Sequence, residues 1–285
     1  MGAPILVGVD GSESALDAVR WAAAEAARRG VGLDLVHVYP TPVRGYPQVV
    51  LTGGEVRRAL EEAGREHLER ARALVADVPV TVEVVPGDAA ATLVGRSAAA
   101  SCVVVGSRGL GGFTGLLIGS VAVALAAHAR CPVVVVRGTE AVDGPVVVGV
   151  DGSPTAEAAV AYAFEEASLR GVGLVAVLAW TDALVDGPLG ERFGADWAAV
   201  EAGEHRVLAE RLAGWGAKYP DVAVTRAVVR ELPVRALLDH AAGASLLVAG
   251  TRGRGGFAGL LLGSTSQALI HHAPCPLAVV RPAAE

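Results

Sequence analysis

The hexapeptide Val7-Gly8-Val9-Asp10-Gly11-Ser12 returns 141 residues later as Val148-Gly149-Val150-Asp151-Gly152-Ser153. A longer run from Gly106 to Ser120, GSRGLGGFTGLLIGS, returns from Gly250 to Ser264 as GTRGRGGFAGLLLGS, identical at 11 of 15 positions. The run Cys131-Pro132 through Arg137 returns as Cys275-Pro276 through Arg281. Repetition at both ends of each half, in one order and at one domain length, implies two homologous domains, 1–140 and 145–285. The seam, Gly138 to Pro145, is a short polar stretch with turn formers at both ends. It is too short to let the halves drift far apart.

Composition narrows the class. With 52% apolar and 19% charged residues in 285, the chain has the make-up of compact domains and not of a disordered segment. The net charge of −6 and a pI near 5.7 give a long-range field that repels polyanions, and no basic face compensates, so a general nucleic-acid binder is not expected. Lys218 is the single lysine, in an ordinary polar stretch, which leaves lysine-dependent phosphate loops and Schiff bases with one poor candidate. Three cysteines, Cys102, Cys131 and Cys275, are widely spaced without C-x-x-C or a zinc-like Cys/His cluster. No basic and apolar leader precedes the first strand, so a reducing, cytoplasmic setting is expected. Residues 109 to 129 and 255 to 280 lack Asp, Glu, Lys and Arg and are long enough to span a bilayer. Their glycine clusters, with Pro274, Pro276, His271 and His272 in the second, would leave backbone groups unsatisfied in hydrocarbon, so no membrane span is expected.

Short β-branched runs alternate with longer Ala-rich stretches of helical period, the pattern of parallel strands joined by helices. The first half predicts strands at Ile5 to Val9, Leu33 to Tyr39, Val80 to Val85, Cys102 to Val105 and Val133 to Val136, with helices at 14–29, 54–76, 89–99 and 119–129. The second predicts strands near 146–150, 174–180, 222–229, 246–249 and 277–280. Nearly continuous apolar strands mean both sheet faces are covered. The expected fold is α/β: two tandem Rossmann-like domains, each a five-stranded parallel sheet with helices on both faces. Ser12 or Ser14 is placed to cap the first helix. The long connections, 40–53 and about 181–190, are rich in Pro and Gly and give no further reading.

In such a sheet ligands bind beyond the carboxyl ends of the strands, where neighbouring strands send their connections to opposite faces. The ends of strands one and four should be neighbours there. Strand one delivers Asp10-Gly11-Ser12; strand four delivers Gly106, Gly109 and, nine residues on, Gly119-Ser120. The second half repeats the spacing as Gly250, Gly253, Gly263 and Ser264. Glycines allow close backbone approach, so the loop can turn its N–H groups around an anion without a charged side chain. Gly119-Ser120 then opens a helix whose first N–H groups are free and whose dipole favours a phosphate chain.

On these residues the chain resembles the universal stress proteins in their tandem two-domain form, specifically the members with the G-2x-G-9x-G-(S/T) nucleotide motif. The resemblance covers essentially the whole chain. It implies a five-stranded parallel domain that binds ATP, accompanied by Mg²⁺, with final strands pairing domains within the chain or in a homodimer. It also implies that Asp10 and Asp151 lie near ribose and adenine with Val9 and Val150 beside them, and that the backbones of Val38 and Ala179 meet the adenine edge. Gly106, Gly109, Gly119 and Ser120, and Gly250, Gly253, Gly263 and Ser264, would hold phosphates, with Val121 and Thr265 following in the helix. Departures are Ser101 and Ser245, where many members are acidic before strand four, and Arg230-Glu231 in place of Pro86-Gly87, which favours the first site over the second.

Plainer roles stand beside these. The glycine loops could be tight strand-to-helix turns, the aspartates helix-entry residues, and Arg108 and Arg252 either phosphate ligands or surface salt-bridge partners. His37, His67, His128, His205, His240, His271 and His272 are expected to be solvated or capping, and the cysteines to pack as small apolar residues. The helix near 54–76 mixes Glu and Arg as a solvated face. No Walker lysine motif, G-x-S-x-G elbow, H-E-x-x-H or kinase signature is present, so no catalytic residue is assigned. The resemblance implies a nucleotide-dependent regulator of the stress response or growth state; a slow ATPase or phosphotransferase and a scaffold that never binds nucleotide are the alternatives.

Overall fold

The computed structural model describes residues 2–40, 53–109, 119–181, 197–253 and 261–282. The long connections expected at 40–53 and 181–190 lie, apart from residues 40, 53 and 181, outside the described residues, as do 110–118 and 254–260 of the glycine-rich runs. The chain divides into two compact units, Met1–Arg137 and Gly138–Glu285.

The first unit runs β1 (Ile5–Gly8), α1 (Glu13–Arg29), β2 (Leu33–Tyr39), α2 (Gly53–Arg72), β3 (Val80–Pro86), α3 (Ala89–Arg96), a 3-10 turn (Ser97–Ala99), β4 (Cys102–Gly106), α4 (Ser120–His128) and β5 (Val133–Val136). Its strands are all parallel in the order β3-β2-β1-β4-β5, with Ile5 level with Leu33 on one side and Cys102 on the other. The second runs β6 (Val146–Gly149), α5 (Pro154–Arg170), β7 (Leu174–Ala179), α6 (Trp197–Arg211), α7 (Trp215–Lys218), β8 (Val224–Val229), α8 (Pro233–Ala241), β9 (Leu246–Gly250), α9 (Ser264–His272) and β10 (Leu277–Val280). Its parallel order is β10-β9-β6-β7-β8.

The central strands β4 and β9 are buried on both faces, so runs such as Cys102-Val-Val-Val105 carry no alternation. The helix edges explain most departures from the sequence reading. α2 ends at Arg72 and not at 76, because Leu74 and Val75 donate their N–H groups three residues back, to Ala71 and Arg72, and tighten the chain into a turn. β8 starts at Val224 and not at 222, because the Val222 N–H closes a turn on the Tyr219 carbonyl. The single turn α7 was not anticipated and opens at Gly214, whose φ of 83° suits only glycine well.

Ser12 caps α1, its Oγ accepting from the Ala15 N–H at 3.2 Å, and Ser153 caps α5 through Ala156 in the same way. Each of these helices also buries a glutamate completely. Glu25 is paired with Arg28 at 2.9 Å and Arg29 at 2.6 Å; Glu166 is paired with Arg170 at 3.0 Å. A carboxylate out of water is tolerated only when so paired. Arg170 also bonds Glu140 of the seam at 2.9 Å, while Thr139 and Ala141 donate to the Pro274 and Ala244 carbonyls, so these seam residues pack as part of the second unit. All three cysteines are buried, and burial pushes the Cys275 thiol up to about 12. Among the described residues no helix is long and apolar enough to cross a membrane.

Candidate functional site

In the first unit β1 lies between β2 and β4, and in the second β6 lies between β7 and β9, so each sheet has its switch point where the aspartate and the glycine loop emerge. Asp10 is fixed from its own turn: Oδ1 accepts from the Ser12 N–H at 3.0 Å and the Ser12 hydroxyl at 2.7 Å. The helix-entry role and a ligand role are compatible, because the other oxygen, Oδ2, faces Gly109, where any Cβ would collide with it. Asp151 repeats this, with Oδ1 on the Ser153 N–H at 2.9 Å and Oδ2 2.5 Å from where a Gly253 Cβ would stand. Gly106 and Gly250 are equally constrained, a Cβ there running into Ser14 and Thr155.

Each loop is latched to the first helix of its unit. The Ser14 hydroxyl donates to the Arg108 carbonyl at 2.7 Å, and Ser14 Oγ lies 3.1 Å from the Arg108 N–H, placed to accept it; the Thr155 hydroxyl donates to the Arg252 carbonyl. The far end is pinned by Gly119 donating to the Ser107 carbonyl at 3.0 Å and Gly263 to the Thr251 carbonyl at 2.8 Å. Gly119 and Gly263 then serve as N-caps of α4 and α9 with no side-chain cap. Glycine offers no side-chain oxygen to the first-turn N–H groups, which places the positive end of each helix dipole at the loop.

In the second unit these parts enclose a cavity of about 820 Å³. Its lining includes every second-half residue nominated from the sequence: Val150, Asp151, Ala179, Gly250, Arg252, Gly253, Gly263, Ser264 and Thr265. In the first unit Asp10, Gly106, Arg108, Gly109 and Gly119 come together through the contacts above, with Ser120 opening α4. Val9 is buried beside them, while Val38 and Val121 pack partly buried on the apolar cluster of Leu93, Val105 and Leu125. Among the described residues Arg108 and Arg252 are exposed and enter no ion pair. Burial, and then the neighbouring Arg108 charge, hold the Arg137 guanidinium below its ordinary value, so two like charges sit close together by the first loop.

The universal stress protein family model matches residues 1–137 and again 144–281. The chain belongs to that family. A universal stress protein of Mycobacterium tuberculosis is 44% identical over 289 residues, covering 97% of this chain and 96% of the relative. One of Mycolicibacterium smegmatis is 43% identical, covering 98% and 97%. A solved universal stress protein from Archaeoglobus fulgidus superposes with a TM-score of 0.70 at 21% identity, covering 98% of each chain, and shares the fold.

Against the universal stress protein pattern, the two departures have structural readings. Ser101 and Ser245 bond back to the carbonyls of Pro4 and Pro145, tying β4 and β9 to the residues that precede β1 and β6. Arg230, which replaces Pro86, lies 3.8 Å above the Trp197 ring and 5.6 Å from Trp180, so the second site gains an aromatic wall where the first has Tyr39 bonded to Glu61.

Sequence reasoning missed Ser14 and Thr155 as latches, although a hydroxyl two residues beyond each D-G-S was visible. It also missed Trp180, Glu204, Pro233 and Leu237 in the cavity wall, since β7's far end and α6 and α8 carry no repeated signal. His37 and His67 correct the histidine reading. His37 is buried with Nδ1 2.8 Å from the Val9 carbonyl, and its ring meets the edge of His67 at 5.2 Å. His37 is not solvated, because α2 packs its Gly64 side directly on β2, leaving no space for a Cβ beside it; His67 is half-buried, with Nδ1 out of water. His240 does bond within its own helix, to the Ala236 carbonyl.

Proposed function

We propose that this universal stress protein binds ATP, one molecule in each domain, and acts in the cytoplasm as a nucleotide-dependent regulator of stress or growth state. The observation that carries this reading is the cavity of about 820 Å³ in which an aspartate, a side-chain-free glycine loop and an uncapped helix start converge. Its size is that of a small-molecule site. The residues fit a triphosphate nucleoside: a Cβ at Gly109 or Gly253 would fill the cradle, Arg108 and Arg252 supply exposed positive charge, and the donors at Ser120 and Ser264 suit phosphate oxygens.

Asp10 and Asp151 would take ribose hydroxyls or an ion, since a bare carboxylate repels phosphate. Mg²⁺, when bound with the nucleotide, neutralises phosphate charge. The chain's own residues grip and orient, through main-chain N–H groups at the loop and an aspartate held rigid by Ser12 or Ser153. With no general base assigned among the described residues of the loop, the arrangement favours retention over transfer.

The test is mass spectrometry of the small molecule released from denatured purified protein, followed by melts with and without Mg-ATP. Adenine nucleotide in the first and a raised melting temperature in the second are expected. No nucleotide and no shift would end the reading in favour of a scaffold. Single-turnover hydrolysis far above buffer would favour a slow ATPase instead.

A further inference from the structure

The first site contains a group the second lacks. His67, on α2, lays the Cδ2, Nε2 and Cε1 edge of its ring against Gly11, the residue after Asp10 and one whose φ of 93° brings the backbone up to the ring. A Cβ at Gly11 would stand 2.5 Å from Nε2. On the opposite side Nδ1 is buried and has no hydrogen-bond partner among the described residues. The edge contact with His37 closes the ring in from β2. The charged groups around it are Asp10 from the β1–α1 turn, His37 from β2, and Glu66 and Arg70 of its own helix, Arg70 being 3.4 Å from Glu13 of α1. Burial first, then His37 and Arg70, lower its pKa, while Asp10 and Glu66 oppose them.

The second domain is built differently at the same places. The Val9 N–H bonds the Val36 carbonyl and the Val150 N–H the Val177 carbonyl, which sets His37 equivalent to Leu178. In the second domain α6 sends Glu204 into the cavity wall and buries Leu208. Among the described residues no histidine lines the second cavity.

We propose that anion binding in the first domain is linked to protonation of His67, so that this site takes a polyphosphate more tightly as the pH falls and the second domain's site does not share the effect. The inference rests on the nucleotide reading above. Its physical basis is distance along contacts already described: His67 touches the turn of Asp10, and Asp10 touches Gly109 of the phosphate cradle. Negative charge brought to that cradle stabilises an imidazolium that the empty site disfavours, and by linkage the proton stabilises the bound anion.

The test is calorimetric titration of full-length protein with Mg-ATP at pH 6 and pH 8, using Gly253→Val to silence the second site and, separately, Gly109→Val to silence the first. The first site is expected to tighten by about three- to tenfold more than the second on going to pH 6, titration of the ligand itself being common to both. Adding His67→Gln to the Gly253→Val protein should abolish the difference. Parallel pH profiles at the two sites, or a slope that survives His67→Gln, would overturn the inference while leaving the nucleotide reading intact. Absence of binding at both sites and both pH values would remove the two together. Should the glycine variants fail to fold, NMR titration of the His67 ring in unaltered protein reads the same linkage. Its pKa should rise with Mg-ATP, and an unchanged value would overturn the inference.

Discussion

The two domains share a plan and differ in what surrounds it. The parts that repeat are those in which backbone meets backbone or a short side chain: the aspartate turned onto its own Ser, the glycine against that aspartate, the hydroxyl latch, the uncapped helix start. The parts that diverge are side chains reaching in from α2 and α6 and from the ends of β3 and β8. His37 and His67 stand in the first domain, Leu178 and Glu204 line the second cavity, and Arg230 covers the Trp180 and Trp197 rings where the first domain has Pro86. If the proposed nucleotide binds, a duplicated loop with unlike walls gives the two domains one grip and two responses.

The comparison is sharpest at the glycines. Gly109→Val should erase the Mg-ATP-dependent melting shift of the first domain and Gly253→Val that of the second, a loss of about 4 kcal/mol where ligand stands a thousandfold above its dissociation constant. Equal shifts in single and double variants, measured by calorimetry, would break the assignment. Next come the buried glutamates. Glu166→Ala leaves Arg170, which is 2% exposed, with Glu140 at 2.9 Å but without its fully buried partner, and should cost about 3 kcal/mol in chemical denaturation. Glu25→Ala leaves Arg28 and Arg29, 25% and 15% exposed, able to turn to water, and should cost less, about 2–3 kcal/mol.

Smaller effects test the latches and the proton. Ser14→Ala leaves the Arg108 carbonyl only the longer Ser12 contact of 3.2 Å and should cost about 1 kcal/mol while weakening first-site binding; Thr155→Val should act only in the second. The smallest is the acid slope of stability. The His67 pKa is lowered in the fold, so the unfolded chain binds the proton more readily. The associated stability is whole above the unfolded value of 6.5 and is lost as the pH falls below it toward the folded value. Denaturant midpoints at pH 5.5 and 7.5 should therefore converge in His67→Gln, by an amount confined to the first domain.

Legibility followed the range of the interaction. The strands were readable because burial on both faces removes alternation over four or five residues, as in Cys102 to Val105 and Leu246 to Gly250. Of the spaced glycines, Gly106 and Gly250 are required by the first helix and Gly109 and Gly253 by the aspartate, whereas a Cβ at Gly119 or Gly263 would meet only ordinary contacts. Ser12 and Ser14 looked interchangeable as caps; in the fold Ser12 caps α1 and both hydroxyls reach the Arg108 carbonyl, Ser14 the more closely. His67 looked solvated because its helix neighbours are charged; the register with which α2 sits on β2 turned it inward.

What the sequence settled alone was the doubling, the strand and helix alternation and the positions where a side chain is forbidden, since these rest on composition and period within short windows. The walls of each site, the pairing of His37 with His67, the stacking of Arg230 on Trp197 and the burial of Glu166 required the folded chain. Those contacts join residues tens of positions apart, and their geometry is fixed by how helices pack onto the sheet, which no local pattern encodes.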